Sequence, residues 1–423
     1  MLRSDRLPGI LGGDFLKPAI LRDATTQSLL DVLCRKLPSV RACAYDGCES
    51  GPRDAKTVVY FKSPVAFAQI MRAPRGLGLA RAWLTGQIDV EGDLHMLVER
   101  ESALRDPATI AAVAFATLRI APTLRYRDFK AAGPTSIEYR GLHPGLHSIA
   151  SDIRETDYHY GLSADFYRRL LGPSLTYSGG IFLSEFDSLE NAQDRKHDMI
   201  CQKLQLNEGS VILDIGCGWG SFLAYARKQY GCKGIGITAS RAQYEEAKRR
   251  VVTPLRPVTE ILCGDYRQIL PVSRATAAAS IGMYEHVGER NSAKFFSLIR
   301  RCVPTGSYYL NQSMVSHEGS PRRFRENSFV QRYIFPNGQI LPLPKQLRDF
   351  ERSGFRVLSV ETFGESYAAT IAQWLRNLEL NWEACVALEG KPRVRAWQIY
   401  LTGSLTRFEN RSIDLAQVLV EAR

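Results

Sequence analysis

The sequence predicts an α/β protein built on a Rossmann-like, mostly parallel sheet, with a smaller α+β region ahead of it. Two observations predict this. From about residue 205 the chain alternates short apolar, β-branched runs with helical stretches, the pattern of a parallel sheet covered on both faces. Inside that alternation, Val211-Ile-Leu-Asp-Ile-Gly-Cys-Gly-Trp-Gly220 delivers a strand into a glycine-rich turn and then a helix.

The elements of the sheet region follow in order. Val211–Ile215 reads as its first strand and Ser221–Tyr230 as the helix after it. Lys233–Thr238 is the second strand, Arg241–Arg250 a charged helix, and Glu260–Asp265 the third strand. Ala277–Ile281 and Ser307–Asn311 are the fourth and fifth. Ahead of them, Thr57–Lys62 reads as a strand because β-branched and aromatic residues cluster there. Pro64 to Leu84 reads as helix, broken at Pro74 and at Gly76–Gly78, and Gln87–Asp93 as a turn.

A length of 423 residues suits two domains. The expected division is an N-terminal domain over 1–130, a linker over 131–152 rich in Gly and Pro, and the sheet domain over 153–423. The net charge of +11 asks for an anionic partner. No RNA-binding signature, Cys/His finger or long basic block accompanies it, which argues against nucleic acid. Ile110 to Lys130 places apolar residues beside Arg119, Arg125, Arg127 and Lys130, a composition that fits an amphipathic helix on anionic lipid or a core helix with a basic end. Arg322-Arg-Phe-Arg325 is either a solvated loop or a contact to lipid phosphates. The nine cysteines form no C-x-x-C pair and read as reduced thiols, not as metal ligands. The start of the chain lacks a signal-peptide core, and Ile110–Leu118 is too short for a membrane span. The expectation is a cytoplasmic protein, peripheral on the inner face of the membrane.

The chemistry gathers at the carboxyl ends of the strands, where open α/β sheets bind ligands. Gly216, Gly218 and Gly220 let backbone approach a ligand, and Asp214 is carried into the same turn. No Lys-Ser/Thr follows, so this is not a phosphate loop. Thr238 and Gln243 follow the second strand; Asp265 and Tyr266 follow the third, suited to an adenine amino group and ring. Together they make an S-adenosylmethionine pocket.

Tyr177-Ser-Gly-Gly-Ile-Phe182, Leu213–Gly220, Gly236–Gln243, Gly282-Met-Tyr-Glu-His-Val-Gly288 and Tyr333-Ile-Phe-Pro-Asn-Gly338 resemble the cyclopropane fatty acid synthases and the related mycolic acid cyclopropane synthases. His159–Tyr167, Phe363–Tyr367, Trp374 and Trp397–Tyr400 extend the likeness from about residue 155 to the end; the first 130 residues resemble the family only loosely. The resemblance implies a class I methyltransferase with helical insertions around an acyl tunnel. It implies methyl transfer to the cis double bond of a phospholipid acyl chain through a carbocation, and a homodimer. In the family a bicarbonate, held by Cys, Glu, His, a backbone group and Tyr, takes the proton. Glu285 and Tyr367 match two of these. Gly179 stands for the Cys, Asn311 for the His (Gln312 if the gap near Pro304 is placed otherwise), and Ser313 for the next contact.

Losing the Cys and the His weakens the bicarbonate site, so Glu285 becomes the candidate base and a methylene branch the expected product, reduced to a methyl branch by a partner enzyme. Ring closure remains the alternative, with Asn311 and Ser313 holding an anion. Tyr333 is expected beside the substrate. Blander readings stand beside these: Glu285 as a carboxylate on a helix start, His286 as a satisfied buried histidine, Tyr367 as a core tyrosine and Cys217 as a small buried hydrophobe. Two wider alternatives are a small-molecule methyltransferase and a non-catalytic cofactor- or lipid-binding subunit.

Overall fold

The computed structural model describes residues 24–73, 76–100, 107–120, 124–141, 147–251, 259–272, 274–317 and 328–423. Pro74 and Arg322–Arg325 lie outside them. The N-terminal part holds a sheet of β1 (Val40–Ala44), β2 (Glu49–Ser50), β3 (Thr57–Phe61) and β4 (Ile88–Glu91), in the order β2-β1-β3-β4. The turn expected over Gln87–Asp93 is therefore a strand. Val58 to Phe61 pair antiparallel with it, and Ile88 turns into the core at 3% exposure. Its Asp and Glu, poor strand formers, are tolerated because this is an edge.

The large sheet contains β5 (Val211–Ile215), β6 (Lys233–Thr238), β7 (Thr259–Cys263), β8 (Ala277–Ile281), β9 (Tyr308–Ser316), β10 (Leu341–Pro342), β11 (Phe355–Thr362) and β12 (Ile413–Ala422). Its order is β11-β12-β9-β8-β5-β6-β7, with β10 beside β9. The strands from β5 to β9 are mutually parallel, whereas β12 runs antiparallel to both β9 and β11. Leu213, Ile215, Ala277, Ala278 and Ala279 are buried, as a strand covered on both faces requires. One face packs Phe295, Phe296, Phe350 and Phe355. The other packs Ile200, Cys201, Phe222 and Leu223. Each such side chain, fully buried, contributes about 1.5–3 kcal/mol of transfer free energy.

A third core joins the helices around the site. Phe166, Tyr167, Tyr367, Trp374, Trp397 and Leu415 form one buried cluster. Its helices start where capping residues allow. Ser148 caps Ile149–Tyr160, Ser163 caps Ala164–Leu171, and Ser188 caps Leu189–Lys203, each accepting a backbone N–H.

The N-terminal part is fastened to this body by buried charge. Arg81 meets Glu138 through two hydrogen bonds, 2.9 and 2.8 Å, and Tyr333 donates its hydroxyl to the same carboxylate at 2.7 Å. Arg395, on the helix Lys391–Glu409, donates to the carbonyls of Trp83 and Ile88 and lies over the Trp83 ring at 4.6 Å.

Candidate active site

The glycine turn is shaped by close approach. Gly216 has φ +81°, and a Cβ there would lie 2.8 Å from Met283 Cβ. The N–H groups of Gly216 and Cys217 both donate to the carbonyl of Ile237, drawing the turn across the end of β6. A cavity opens at the carboxyl ends of β5, β6 and β8, lined by Asp214, Gly216 and Gly218. Tyr177 and Ser178 line it from one side, Thr238 and Gln243 from another, Asp265 and Tyr266 from a third. Gly220 is not on its wall. It caps the helix Ser221–Tyr230 at φ +79°, and a Cβ there would press on Val251 and Ala247.

The polar groups of this cavity are held by one another. Thr238 donates its hydroxyl to Gln243 Oε1 at 2.8 Å. Asp265 caps the short helix Tyr266–Ile269, and its carboxylate is gripped by Arg267, which also reaches Asp152. Asp214 is 2% exposed, and its Oδ1 has no hydrogen-bond partner. Burial pushes its carboxyl up to about 7, against the pull of Lys196. Among the described residues Tyr177 Oη is a second such orphan, and both sit beside a cradle at Gly216 that a Cβ would crowd. These features suit a ligand with an ammonium and a flat base, and S-adenosylmethionine is such a ligand.

Glu285 lies beyond the end of β8, in the turn Tyr284–His286. Its Oε1 accepts the N–H of Met314 at 2.6 Å. That N–H is left to it because β8 pairs with β9 only as far as Gln312, and β10 joins β9 only from Val315. The other oxygen, Oε2, is buried and has no hydrogen-bond partner among the described residues. Burial raises this carboxyl to about 7, and the Met314 bond pulls against it. Burial first, and the Glu285 charge after it, raises the hydroxyls of Tyr160, Tyr367 and Tyr400.

Tyr367 stands on the helix Gly364–Leu380 and fills the room beside Gly179. A Cβ on Gly179 would meet Leu415 Cδ2 at 2.8 Å and the Tyr367 ring at 3.0 Å. Asn311 and Ser313 point elsewhere. Asn311 Oδ1 accepts from Ser280 at 2.6 Å, and its Nδ2 donates to Ser313 Oγ and Gln346 Oε1, both within a closed, buried network. Alternation along β9 sends Gln312 and Met314 to the opposite face, where Gln312 Oε1 accepts from Gln417 and its Nε2 has no partner. With Gly179 lacking a side chain and neither Asn311 nor Gln312 carrying an imidazole, the residues do not fit the bicarbonate site that the resemblance implies. Tyr333, expected beside the substrate, spends its hydroxyl on Glu138 and Thr135 at the seam with the N-terminal part.

An aromatic cluster packs beside the cavity, whose wall includes Tyr160, Tyr177 and Trp219 but not Glu285. Tyr177 lies 5.3 Å from Trp374 and 5.7 Å from Trp397, and Tyr167 lies 4.5 Å from Trp219. Tyr160 shares a 3.1 Å hydrogen bond with His286 Nε2. Burial lowers His286 to about 4 and depresses His159 too, so both rings are neutral and add no charge to the wall. Sequence reasoning passed over Tyr160, Met283 and Lys196. Tyr160 and Met283 stood inside motifs already singled out; a lysine carries no sequence signal for burial.

A glycine turn at the head of a parallel sheet, with acceptors and rings around it, defines a class I S-adenosylmethionine-dependent methyltransferase. Residues 147–418 match the family described as mycolic acid cyclopropane synthetase, and the chain belongs to that family. It is 31% identical over 388 residues to a probable fatty acid methyltransferase of Mycobacterium tuberculosis, covering 89% of each chain. It is 33% identical over 276 residues to a probable fatty acid methyltransferase of Pseudomonas putida, covering 64% of this chain and 70% of the relative. Among solved structures, the cyclopropane synthase MmaA2 from Mycobacterium tuberculosis superposes with a TM-score of 0.60 at 28% identity, over 64% of this chain and 98% of that one. The mycolic acid cyclopropane synthase CmaA1, complexed with SAH and CTAB, gives the same TM-score of 0.60, identity and coverage.

Proposed function

We propose that this methyltransferase acts on the cis double bond of unsaturated acyl chains of membrane phospholipids and leaves a methylene branch, which a partner reductase converts to a methyl branch. When bound, S-adenosylmethionine supplies an electrophilic methyl on a sulfonium. The alkene is a weak nucleophile, so the aromatic wall has two tasks: to fix the chain and to exclude water. Methyl transfer forms a carbon–carbon bond and leaves a positive charge on the neighbouring carbon. The rings and the Glu285 carboxylate offset that charge. A 1,2-hydride shift moves the charge to the carbon that bears the new methyl, and Glu285 Oε2 takes a proton from that methyl, leaving a C=CH2 methylene branch on the chain.

The observation that carries this reading is the pairing of a buried, unpartnered Glu285 Oε2 with a blocked Gly179. The base is present and the family's additional anion is not accommodated. The relatives named as fatty acid methyltransferases favour the same product class. Ring closure is the second reading, favoured by one observation: the unpartnered Nε2 of Gln312 is an amide donor to which an anion or water can bind. It also agrees with the 32% identity to cyclopropane mycolic acid synthase 1 of Mycobacterium tuberculosis.

Among the described residues no helix is long and apolar enough to cross a membrane. The helix Pro107–Ile120 exposes Ile110 and Phe115 beside Arg119, and Tyr126 follows, 85% exposed, with Arg125, Arg127 and Lys130. This surface supports docking on an anionic bilayer at the inner face of the membrane. Incubation with labelled S-adenosylmethionine and unsaturated phospholipid vesicles tests both halves. Label is expected in the acyl chains, more with anionic vesicles than with zwitterionic ones. Label confined to small soluble acceptors would overturn the reading.

A further inference from the structure

Lys196 lies on the helix Leu189–Lys203 with 0% of its surface exposed. A lysine is almost never so placed unless something holds its charge. Its Nζ donates to Ser178 Oγ at 2.7 Å and to Gln193 Oε1 at 2.8 Å. Gln193, one turn earlier, aims its own Nε2 at the carbonyl of the same Ser178, also at 2.8 Å. One helix therefore grips Ser178 by hydroxyl and by backbone. Three residues on, the same helix continues the hold, the carbonyl of Ala192 accepting the N–H of Ile181 at 2.9 Å.

A second observation points from Lys196 to a ligand. Asp214 is buried, lines the cofactor cavity and keeps one oxygen unpartnered. Burial lowers Lys196 itself to about 7, and its charge pulls the Asp214 carboxyl down against burial. A carboxylate in that position would be costly without a compensating charge. Ser178 and Asp214 both touch the cavity; Lys196 lies behind them and reaches it only through them.

We propose that Lys196 is a positioning residue of the cofactor pocket: through its hydrogen bond to Ser178 it holds the segment Tyr177–Gly179 closed over the bound cofactor. The Asp214 oxygen left open then accepts an ammonium donor such as the amino group of S-adenosylmethionine. The role concerns the cofactor alone and is indifferent to the acceptor.

Calorimetric titration of the full-length protein with SAH, together with melting of the ligand-free protein, tests it. K196M is expected to bind SAH about tenfold or more weakly. S178A, which leaves Lys196 and Asp214 in place, is expected to weaken SAH several-fold. The two affinity losses are expected to be non-additive in the double variant, because both break one contact. Should K196M fail to fold, K196M/D214N removes both charges together, and its affinity is compared with that of D214N alone. A lysine with a merely structural role would move the melting temperature only. SAH affinity in K196M, or in K196M/D214N relative to D214N, equal to that of its parent would overturn the proposal, as would strict additivity with S178A.

Discussion

The carboxylate of Glu285 closes a gap in the sheet by accepting the N–H of Met314 at 2.6 Å. One oxygen is thereby fixed, and the other is left buried and open. A carboxylate held in this way is pre-aimed, and its loss should separate chemistry from binding. Glu285→Gln is expected to lower turnover by at least about a hundredfold while SAH affinity, measured by calorimetry, stays within about twofold of the parent. Equal loss of both would assign Glu285 a structural role.

The same burial sets the pH response. Glu285 is raised to about 7, and the base is the ionised form. Activity should therefore climb as pH rises through about 7 and level off above it. A rate already flat from pH 5 to 8 would contradict a base of this kind.

Gly179 cannot simply become the cysteine that the family carries. Its Cβ would meet Leu415 Cδ2 and the Tyr367 ring. Gly179→Cys should cost about 1–3 kcal/mol by overpacking, seen as a lower melting temperature. G179C/L415A should recover part of it, because the two sites share the clash.

Glu155 provides a stability test away from the chemistry. It is buried, accepts from Asn337 at 2.6 Å, and burial, then Asp152, raises its carboxyl to about 8. Its folded value lies above its unfolded one. Its contribution is therefore fully present below the ordinary carboxylate range and is lost as pH rises to about 8. The melting temperature of the parent should fall more steeply between about pH 5 and 8 than that of Glu155→Gln. Parallel curves would contradict it.

The seam between the two parts rests on Arg81 and Glu138, both buried. Arg81→Met should destabilise by about 3–5 kcal/mol, because it strands the carboxylate, and R81M/E138M by less. Chemical denaturation distinguishes the two.

Much of the sheet was legible because its signals are local. The strands β5, β6 and β8 fall where apolar runs meet glycine or a helix, and the turn glycines mark the cavity. What was not legible depended on tertiary pairing. β9 runs on to Ser316 only because β12 pairs along it as far as Ile413, and β11 and β12 carry no α/β alternation to announce them. On that longer strand a shift of one residue exchanges faces. Asn311 thus lands in a closed polar network, and Gln312 faces the other way. Lys196 was invisible because its type belongs on surfaces, and only the fold shows what surrounds it.

The most direct test of the account is the identity of the product. Purified enzyme, S-adenosylmethionine and unsaturated phospholipid vesicles should give acyl chains whose proton NMR shows the olefinic signals of a C=CH2 methylene branch, absent with Glu285→Gln. A high-field cyclopropyl signal in their place would contradict the claim that Glu285 acts without the family's anion.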